Sequence, residues 1–592
     1  MCGISGELRF DGRMAQPDLV ARMSERLASR GPDGAGVWAS GGAALGHRRL
    51  AIIDLSRKGD QPMVDSELGL TIVFNGCIYN HKELRRELEA SGYRFFSTSD
   101  TEVVLKAFHC WGDKFLDRLA GMFAFCIVER DTGRAVLARD RLGIKPLYLA
   151  ERPGSLRFAS TLPALTSVGD VDCSVDPVGL HHYLTFHAVV PAPRTILKGV
   201  TKLAPATMLE VEPDGRQREV RYWEPTHRPD GAFAWDSPEE WFEAVGAALR
   251  LAVERRLVAD VPVGVLLSGG LDSSLIVGLL RERGQSELST FSIGFDTLGE
   301  EDGDEFRWSD IVAEHFETDH HKIRVPTSEV LEALPATVAA MSEPMVSHDV
   351  VAFFLLSREV SKHVKVVQSG QGADEVFGGY HWYQKLEEAT GDGVDEYASV
   401  FFDRDHRAVA EVVNPEYLPD TDVSREFVAG HFAQPGAATP VERALRIDTQ
   451  VMLVEDPVKR VDNTTMAWGL EARVPFLDHE VVEVAAACPS ELKLAQDGKG
   501  ILKDLGRKVI PSEVIDRPKG YFSVPPLIHL EGPYVDLLRD ALVSPAASDR
   551  ALFRPEHVQH VLDHPNDLTT LRYNKLWELG LLELWLQSHD IP

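Results

Sequence analysis

Up to about residue 222 the chain alternates short apolar runs with turns, the pattern of strands in antiparallel sheets. The stretches 70–74 and 122–128 read as strands. The second ends at the Asp131-Thr132-Gly133 turn and resumes at 134–138 as its hairpin partner. Two helical patterns interrupt, 17–29 and 81–91, the latter with Leu84 and Leu88 on one face. Sheets with helices packed outside them make an α+β arrangement. A turn-rich joint follows, Glu224-Pro225-Thr226-His227-Arg228-Pro229-Asp230-Gly231. Beyond it the period changes. Ser237 can cap a helix, Pro238 suits its first turn, and Glu240 can close a capping box. Val245, Ala248, Leu249 and Ala252 form its apolar stripe. The continuous apolar strands 263–267, 290–295 and 365–370 lie between helices, as in a buried parallel sheet of an α/β domain. After about residue 380 the chain is helix-rich. The pattern divides it into a first domain 1–222, a linker 223–235 and a second domain 236–592.

A chain of 592 residues exceeds what one core supports, in keeping with two domains. Apolar residues make up 44% and charged residues 26%, ordinary for a globular protein. The net charge of -29 argues against nucleic acid as a bulk partner, though not against a nucleotide in a local pocket. Cys2, Cys77, Cys110, Cys126, Cys173 and Cys488 show no CxxC spacing, so neither a zinc site nor a disulfide framework is expected. Glu7, Arg9, Asp11 and Arg13 interrupt any signal-like stretch, and the longest apolar runs, 261–267 and 350–356, are too short to span a bilayer. A cytoplasmic location is the expectation.

The chemistry starts at the amino end, Met1-Cys2-Gly3-Ile4-Ser5-Gly6. Removal of Met1 would give Cys2 both a thiol and a free α-amine. An α-amine has a pKa of roughly 7.7–8.0, so it can take the thiol's proton near neutrality, a nucleophile and base in one residue. A small buried cysteine near a start codon is the bland alternative. Asn75-Gly76 can present a side-chain amide and a backbone N–H to a tetrahedral oxyanion. The same dipeptide is the strongest short signal for a type I′ hairpin turn, and spacing alone favours the turn. Arg49 can fork onto a carboxylate and Asp100 can hold an ammonium, although single charges of this kind usually face solvent.

In combination these stretches are distinctive. Cys2-Gly3-Ile4, Arg30-Gly31-Pro32-Asp33, His47-Arg48-Arg49-Leu50, Asn75-Gly76-Cys77-Ile78-Tyr79-Asn80 and Arg139-Asp140-Arg141-Leu142-Gly143-Ile144-Lys145-Pro146 occur in that order. The set resembles the class II glutamine amidotransferase domain, with its N-terminal-nucleophile (Ntn) fold. The resemblance implies that Cys2 attacks the glutamine side-chain amide, that Asn75 and Gly76 hold the oxyanion, and that Arg49 and Asp100 grip the substrate carboxylate and ammonium. It departs at position 77, where the family usually has Glu. The loss of that charge leaves Asp100 to hold the ammonium alone.

The second domain carries Ser268-Gly269-Gly270-Leu271-Asp272-Ser273-Ser274 after the strand that ends at Leu267. Glycines let backbone approach a polyanion, helix-start amides attract phosphate, and Asp272 can hold Mg²⁺ through oxygen. No Gly-Lys-Ser/Thr occurs, so this is not a Walker A loop. The stretch resembles the pyrophosphate loop (PP-loop) of ATP pyrophosphatases. Ser369-Gly370-Gln371-Gly372-Ala373-Asp374-Glu375, Leu470-Glu471-Ala472-Arg473-Val474-Pro475-Phe476-Leu477-Asp478 and Gly498-Lys499-Gly500 resemble further signatures of the asparagine synthetase family. By that resemblance the domain is adenine-nucleotide α-hydrolase-like. Leu267, Ser268, Gly269, Gly270, Asp272, Ser273, Ile293, Ser369 and Gly370 would meet ATP, Asp272 and Asp374 would hold Mg²⁺, and Lys499 would stand by the reacting phosphate. Without the resemblance Lys499 reads as a solvated helix charge.

The implied reaction hydrolyses glutamine, adenylates an acceptor carboxylate with ATP, and lets ammonia displace AMP through a protected interior route. A homodimer is expected on the same ground. The acceptor is less marked. Gln371 stands where asparagine synthetases usually have Glu, and the stretches 343–349 and 454–462 depart from their usual patterns. With Cys77, these departures resemble the N-acetylglutaminylglutamine amidotransferase branch, which makes an osmoprotectant by amidating a blocked dipeptide. Aspartate is the family default.

Overall fold

The computed structural model describes residues 2–226, 235, 237–296, 304–389, 391–517 and 524–592. Most of the expected joint, from His227 to Gly231, lies outside them.

The first domain is built on two six-stranded antiparallel sheets. One runs Thr201–Lys202, Tyr148–Arg152, Ser155–Ala159, Gly3–Arg9, Ala43–Arg49, Gly34–Ser40 in spatial order. The other runs Gln217–Arg221, Thr207–Val211, Ala135–Arg139, Gly121–Glu129, Leu70–Ile78, Met63–Asp65. Their inner faces interdigitate through Ile4, Leu8, Leu45 and Phe158 on one side and Val73, Ala124, Cys126 and Leu137 on the other. Helix Pro17–Glu25 covers the outer face of the first sheet through Leu19, Val20 and Met23. Helices His81–Ala90 and Asp100–Trp111 cover the second through Leu84, Leu88, Val104 and Phe108. The result is a helix–sheet–sheet–helix sandwich, the Ntn-type layering.

Asn75-Gly76 is not a hairpin turn. The strand Leu70–Ile78 runs straight through it, with Asn75 opposite Ala124 and Gly76 opposite Phe123. Gly121–Glu129 matches this strand in register along its whole length, so nothing at 75–76 asks the chain to reverse.

Helix Pro238–Arg255 begins the second domain with the expected capping box: Glu240 N–H donates to Ser237 Oγ (3.3 Å) and Ser237 N–H to Glu240 Oε2 (3.1 Å). A five-stranded parallel sheet follows, ordered Asp319–Val325, Ser289–Phe295, Val263–Leu266, Val366–Gln368, Glu471–Arg473. Successive residues point to opposite faces. Leu266, Phe291 and Val367 enter one core and Val265 and Val366 another. Both faces are covered, which explains the unbroken apolar runs. The edge strand Glu471–Arg473 is only three residues long and lies toward the first domain. Its alternation puts Glu471 and Arg473 on one face.

Candidate active sites and family

Cys2 immediately precedes the strand Gly3–Arg9 and is buried. Its backbone N–H donates to Asn75 Oδ1 at 3.0 Å, and Arg30 Nε donates to its carbonyl at 3.3 Å. Burial pushes its thiol pKa up. Asn75 spends its oxygen on Cys2 while its buried Nδ2 has no partner among the described residues. A buried donor without an acceptor is costly, and beside a nucleophile it is positioned for a developing oxyanion. Gly76 lines the same cavity. A Cβ there would lie 2.2 Å from Met122 O, so the neighbouring strand requires glycine.

This cavity, of about 30 Å³, is lined by Cys2, Arg49, Gly76, Cys77 and Asp100 together with Glu471 and Arg473 of the second domain. Arg49 donates through Nη1 to Ser56 O (2.9 Å) and Asp60 Oδ1 (2.7 Å), and through Nη2 to Asp54 O. Asp60 is half exposed, so an incoming carboxylate can replace it on the guanidinium. Asp100 opens helix Asp100–Trp111 and accepts from Ile78 N–H at 3.0 Å, its pKa raised by burial. Of the residues the sequence points to, Cys2, Arg49, Gly76 and Asp100 line one cavity, while Asn75 does not line it and is tied to the site through its bond to the Cys2 N–H. Sequence reasoning gave no role to Glu471 or Arg473, whose only signal was their place in a matched motif.

The second cavity is larger, about 810 Å³, and lies over the ends of the parallel strands. Leu267, Ser268, Gly270, Asp272, Ser273, Ile293, Ser369, Gly370, Asp374 and Lys499 all line it. Gly269 does not. It holds the turn instead, at φ +71°, where a Cβ would lie 2.3 Å from Trp308 backbone. Helix Leu271–Glu282 starts at the turn, so its first amides face the cavity. Ser273 Oγ lies 3.1 Å from Ser268 Oγ and ties the loop to that helix.

Lys499 is not solvated. It is buried and reaches Asp272 Oδ2 at 2.7 Å and Asp374 Oδ1 at 2.9 Å. Burial opposes its charge, but the two carboxylates win and hold its pKa above the ordinary lysine value. Gly379 makes this approach possible: a Cβ there would lie 2.1 Å from Asp374 Oδ1 and 2.2 Å from Lys499 Cε. Two converging carboxylates in a phosphate-sized cavity suit Mg²⁺, which takes one or two protein oxygens and completes its shell with phosphate and water. No cluster of three or more candidate ligands occurs among the described residues.

Helix Lys459–Met466 makes contacts toward both cavities without lining either. Asp462 binds Arg30 (Nη1 to Oδ2, 2.8 Å) and Lys145 (3.3 Å) from the first domain. Arg460 binds Asp349 (2.8 Å), which lines the larger cavity. Nearby, Lys202 of the first domain reaches Glu343 (2.9 Å) and Glu455 (2.6 Å), all buried. First-domain cations thus meet second-domain carboxylates along a closed seam. No helix among the described residues is long and apolar enough to cross a membrane.

Comparison with known proteins agrees with this division. Residues 1–223 match the family model described as glutamine amidotransferase domain, and residues 244–587 match asparagine synthase. Asparagine synthetase [glutamine-hydrolyzing] 1 of Bacillus subtilis is 30% identical, covering 99% of this chain and 96% of its own length. Asparagine synthetase [glutamine-hydrolyzing] 3 of the same organism is 31% identical over 88% of this chain and 86% of its own. A putative asparagine synthetase [glutamine-hydrolyzing] of Mycobacterium tuberculosis is 32% identical over 99% and 97%. The chain therefore belongs to the asparagine synthase family, as a glutamine-hydrolysing carbon–nitrogen ligase in which an Ntn-type amidotransferase domain precedes the synthase domain.

Proposed function

We propose that this chain amidates the carboxylate of a blocked dipeptide, N-acetylglutaminylglutamine, with ATP and glutamine as co-substrates. Cys2, freed of Met1, attacks the glutamine amide with its own amine as base, and Asn75 Nδ2 and Gly76 N–H hold the oxyanion. Ammonia leaves as the thioester forms, and water then hydrolyses the thioester to release glutamate and restore the thiol. In the larger cavity the acceptor carboxylate attacks the α-phosphorus of ATP, pyrophosphate departs, and ammonia displaces AMP from the acyl-adenylate. Lys499 neutralises charge that grows on the departing phosphates. Asp272 and Asp374 would hold Mg²⁺, which when bound would supply further neutralisation at the phosphates.

The observation that carries the two-site reading is helix Lys459–Met466. Residues two positions apart on it contact the shell of Cys2 and the wall of the nucleotide cavity. Ammonia made at one site is taken to pass to the other within the protein, beside this seam. The dipeptide acceptor is supported by Gln371, which lines the cavity and removes a negative charge expected for an asparagine synthetase, and by a volume at the upper end of small-molecule sites. The second reading is aspartate as acceptor, favoured by the names of the similar proteins. Purified protein with ATP and glutamine, supplied with either acceptor, separates the two by AMP formation. Turnover with aspartate alone would remove the dipeptide. We also propose a homodimer in the cytoplasm, to be checked by sedimentation and fractionation.

A further inference from the structure

We propose that Arg517 is a further phosphate-binding residue of the larger cavity, held by Glu305 until ATP enters and then turned to the pyrophosphate portion of the nucleotide. This rests on the reading that the larger cavity takes ATP.

Arg517 and Glu305 both line that cavity, and the guanidinium Nη2 lies 2.9 Å from Glu305 Oε1. The same Nη2 rests against the Ser268–Ser274 turn. A Cβ on Gly270 would lie 3.4 Å from it and 3.4 Å from Ser268 Oγ. Gly270 is also the residue from which helix Leu271–Glu282 starts, so the first amides of that helix and its positive dipole end are close by. A guanidinium and a set of helix-start amides thus converge on one turn, from two parts of the chain far apart in sequence. An anion with several oxygens can use both, and an arginine fork meets such an anion with paired hydrogen bonds.

Arg517 can change partner without leaving its place. Its guanidinium carbon stands 5.5 Å from the centroid of the Trp308 ring, within cation–π range. Trp308 is itself fixed against the turn, since a Cβ on Gly269 would lie 2.3 Å from its backbone. The ring and Gly270 therefore hold the guanidinium whether or not Glu305 does. Glu305 is the member that yields. Burial raises its pKa against the opposing charge of Arg517, so keeping this carboxylate ionised is already unfavourable. Other cations on the wall are committed elsewhere. Lys499 is shared by Asp272 and Asp374, and Arg507 reaches both oxygens of Asp516, at 2.9 and 3.1 Å. Arg517 stands at the turn, and Glu305 is its one carboxylate partner among the described residues.

A clasp that only ties Arg517 to the start of helix Phe306–Phe316 would suffer alike from the loss of either partner; a phosphate-binding residue would not. The test measures binding of ATP, pyrophosphate and AMP by calorimetry with Mg²⁺ present. In wild-type protein, ATP binding checks the underlying reading; its absence would defeat that reading independently of Arg517. Given binding, Arg517→Gln should weaken ATP and pyrophosphate about 10–100-fold, the value of hydrogen bonds between charged groups, and AMP by less than about twofold. Glu305→Gln releases the guanidinium in advance and should tighten ATP and pyrophosphate about two- to fivefold. Arg517→Lys serves if Arg517→Gln does not fold. It keeps the charge without the fork and should weaken the same two ligands by a smaller factor, with AMP again unaffected. Weakening by both Arg517→Gln and Glu305→Gln, an equal loss for AMP, or no loss at Arg517 would overturn the assignment.

Discussion

Arg30 and Asp462 form a buried, two-pronged ion pair across the domain seam, and the same guanidinium holds the carbonyl of Cys2. The nucleophile is therefore positioned through an anchor that belongs to the other domain. Burial works against the charge of Asp462, but Arg30 and Lys145 hold its pKa below the ordinary aspartate value. Asp462→Asn would leave both cations without their counter-charge. A broken buried pair of this kind costs about 3–5 kcal/mol. We expect a clear fall in Tm, and a larger loss of glutamine-dependent than of ammonia-dependent synthesis, because Cys2 loses its backbone anchor. Equal losses with both nitrogen sources would argue that the pair only holds the domains together. As the pH falls through the depressed pKa of Asp462, its contribution to stability is lost.

Cys2→Ala separates the two half-reactions more sharply. Glutamine hydrolysis should vanish, while ATP-dependent synthesis from added ammonium salt persists. Asn75→Ala should act in a graded way, lowering kcat for glutamine hydrolysis by about 10²–10³ with KM little changed, as the loss of one oxyanion donor does. Loss of ammonia-dependent synthesis in Cys2→Ala would mean that the two sites are not separable. Mass spectrometry of the mature amino terminus provides a prior check, since a retained Met1 would block the proposed base.

The sequence revealed these sites unevenly, for a physical reason. Arg49 and Asp100 read singly as surface charges and were marked only through the family resemblance, whereas Cys2 and the Ser268–Ser274 turn could be found because each sits in a local pattern with a chemical meaning. The capping box at Ser237 and Glu240 was legible for the same reason, being fixed by four consecutive residues. Asn75-Gly76 misled, because a dipeptide with strong turn propensity was overridden by strand pairing with Gly121–Glu129, which no local window contains. Lys499 looked solvated because its two partners lie more than a hundred residues away in sequence. Glu471, Arg473 and Asp462 were invisible as parts of the Cys2 site, since they reach it only once the second domain docks.

Lys499 offers a test confined to the other site. It neutralises two carboxylates before any nucleotide binds, so Lys499→Met removes the cation and leaves Asp272 and Asp374 repelling each other and the triphosphate. AMP formation should fall about 10²–10³-fold with either nitrogen source, as loss of a preorganised cation at a charged transition state implies. Glutamine hydrolysis without ATP should remain. A selective defect with glutamine alone would place Lys499 in the ammonia route and not at the phosphates.

Glu375 predicts how the larger site responds to pH. It is buried on the wall of that cavity and accepts a hydrogen bond from Tyr380 Oη at 2.6 Å. Burial, aided by the neighbouring charge of Asp374, raises its pKa to about 7. The folded state therefore keeps a proton on Glu375 that the unfolded chain releases near pH 4.5. Stability from this group is fully present below the unfolded value and is lost as pH rises through about 7. Above that pH a new anion also faces the triphosphate and the acceptor carboxylate, so KM for the acceptor should climb. Glu375→Gln mimics the protonated form. Measured from pH 5 to 8, the variant should lack both the decline in Tm and the rise in acceptor KM that the wild type shows across this window. Superimposable pH profiles for the two proteins would show that Glu375 is already ionised at the lower end.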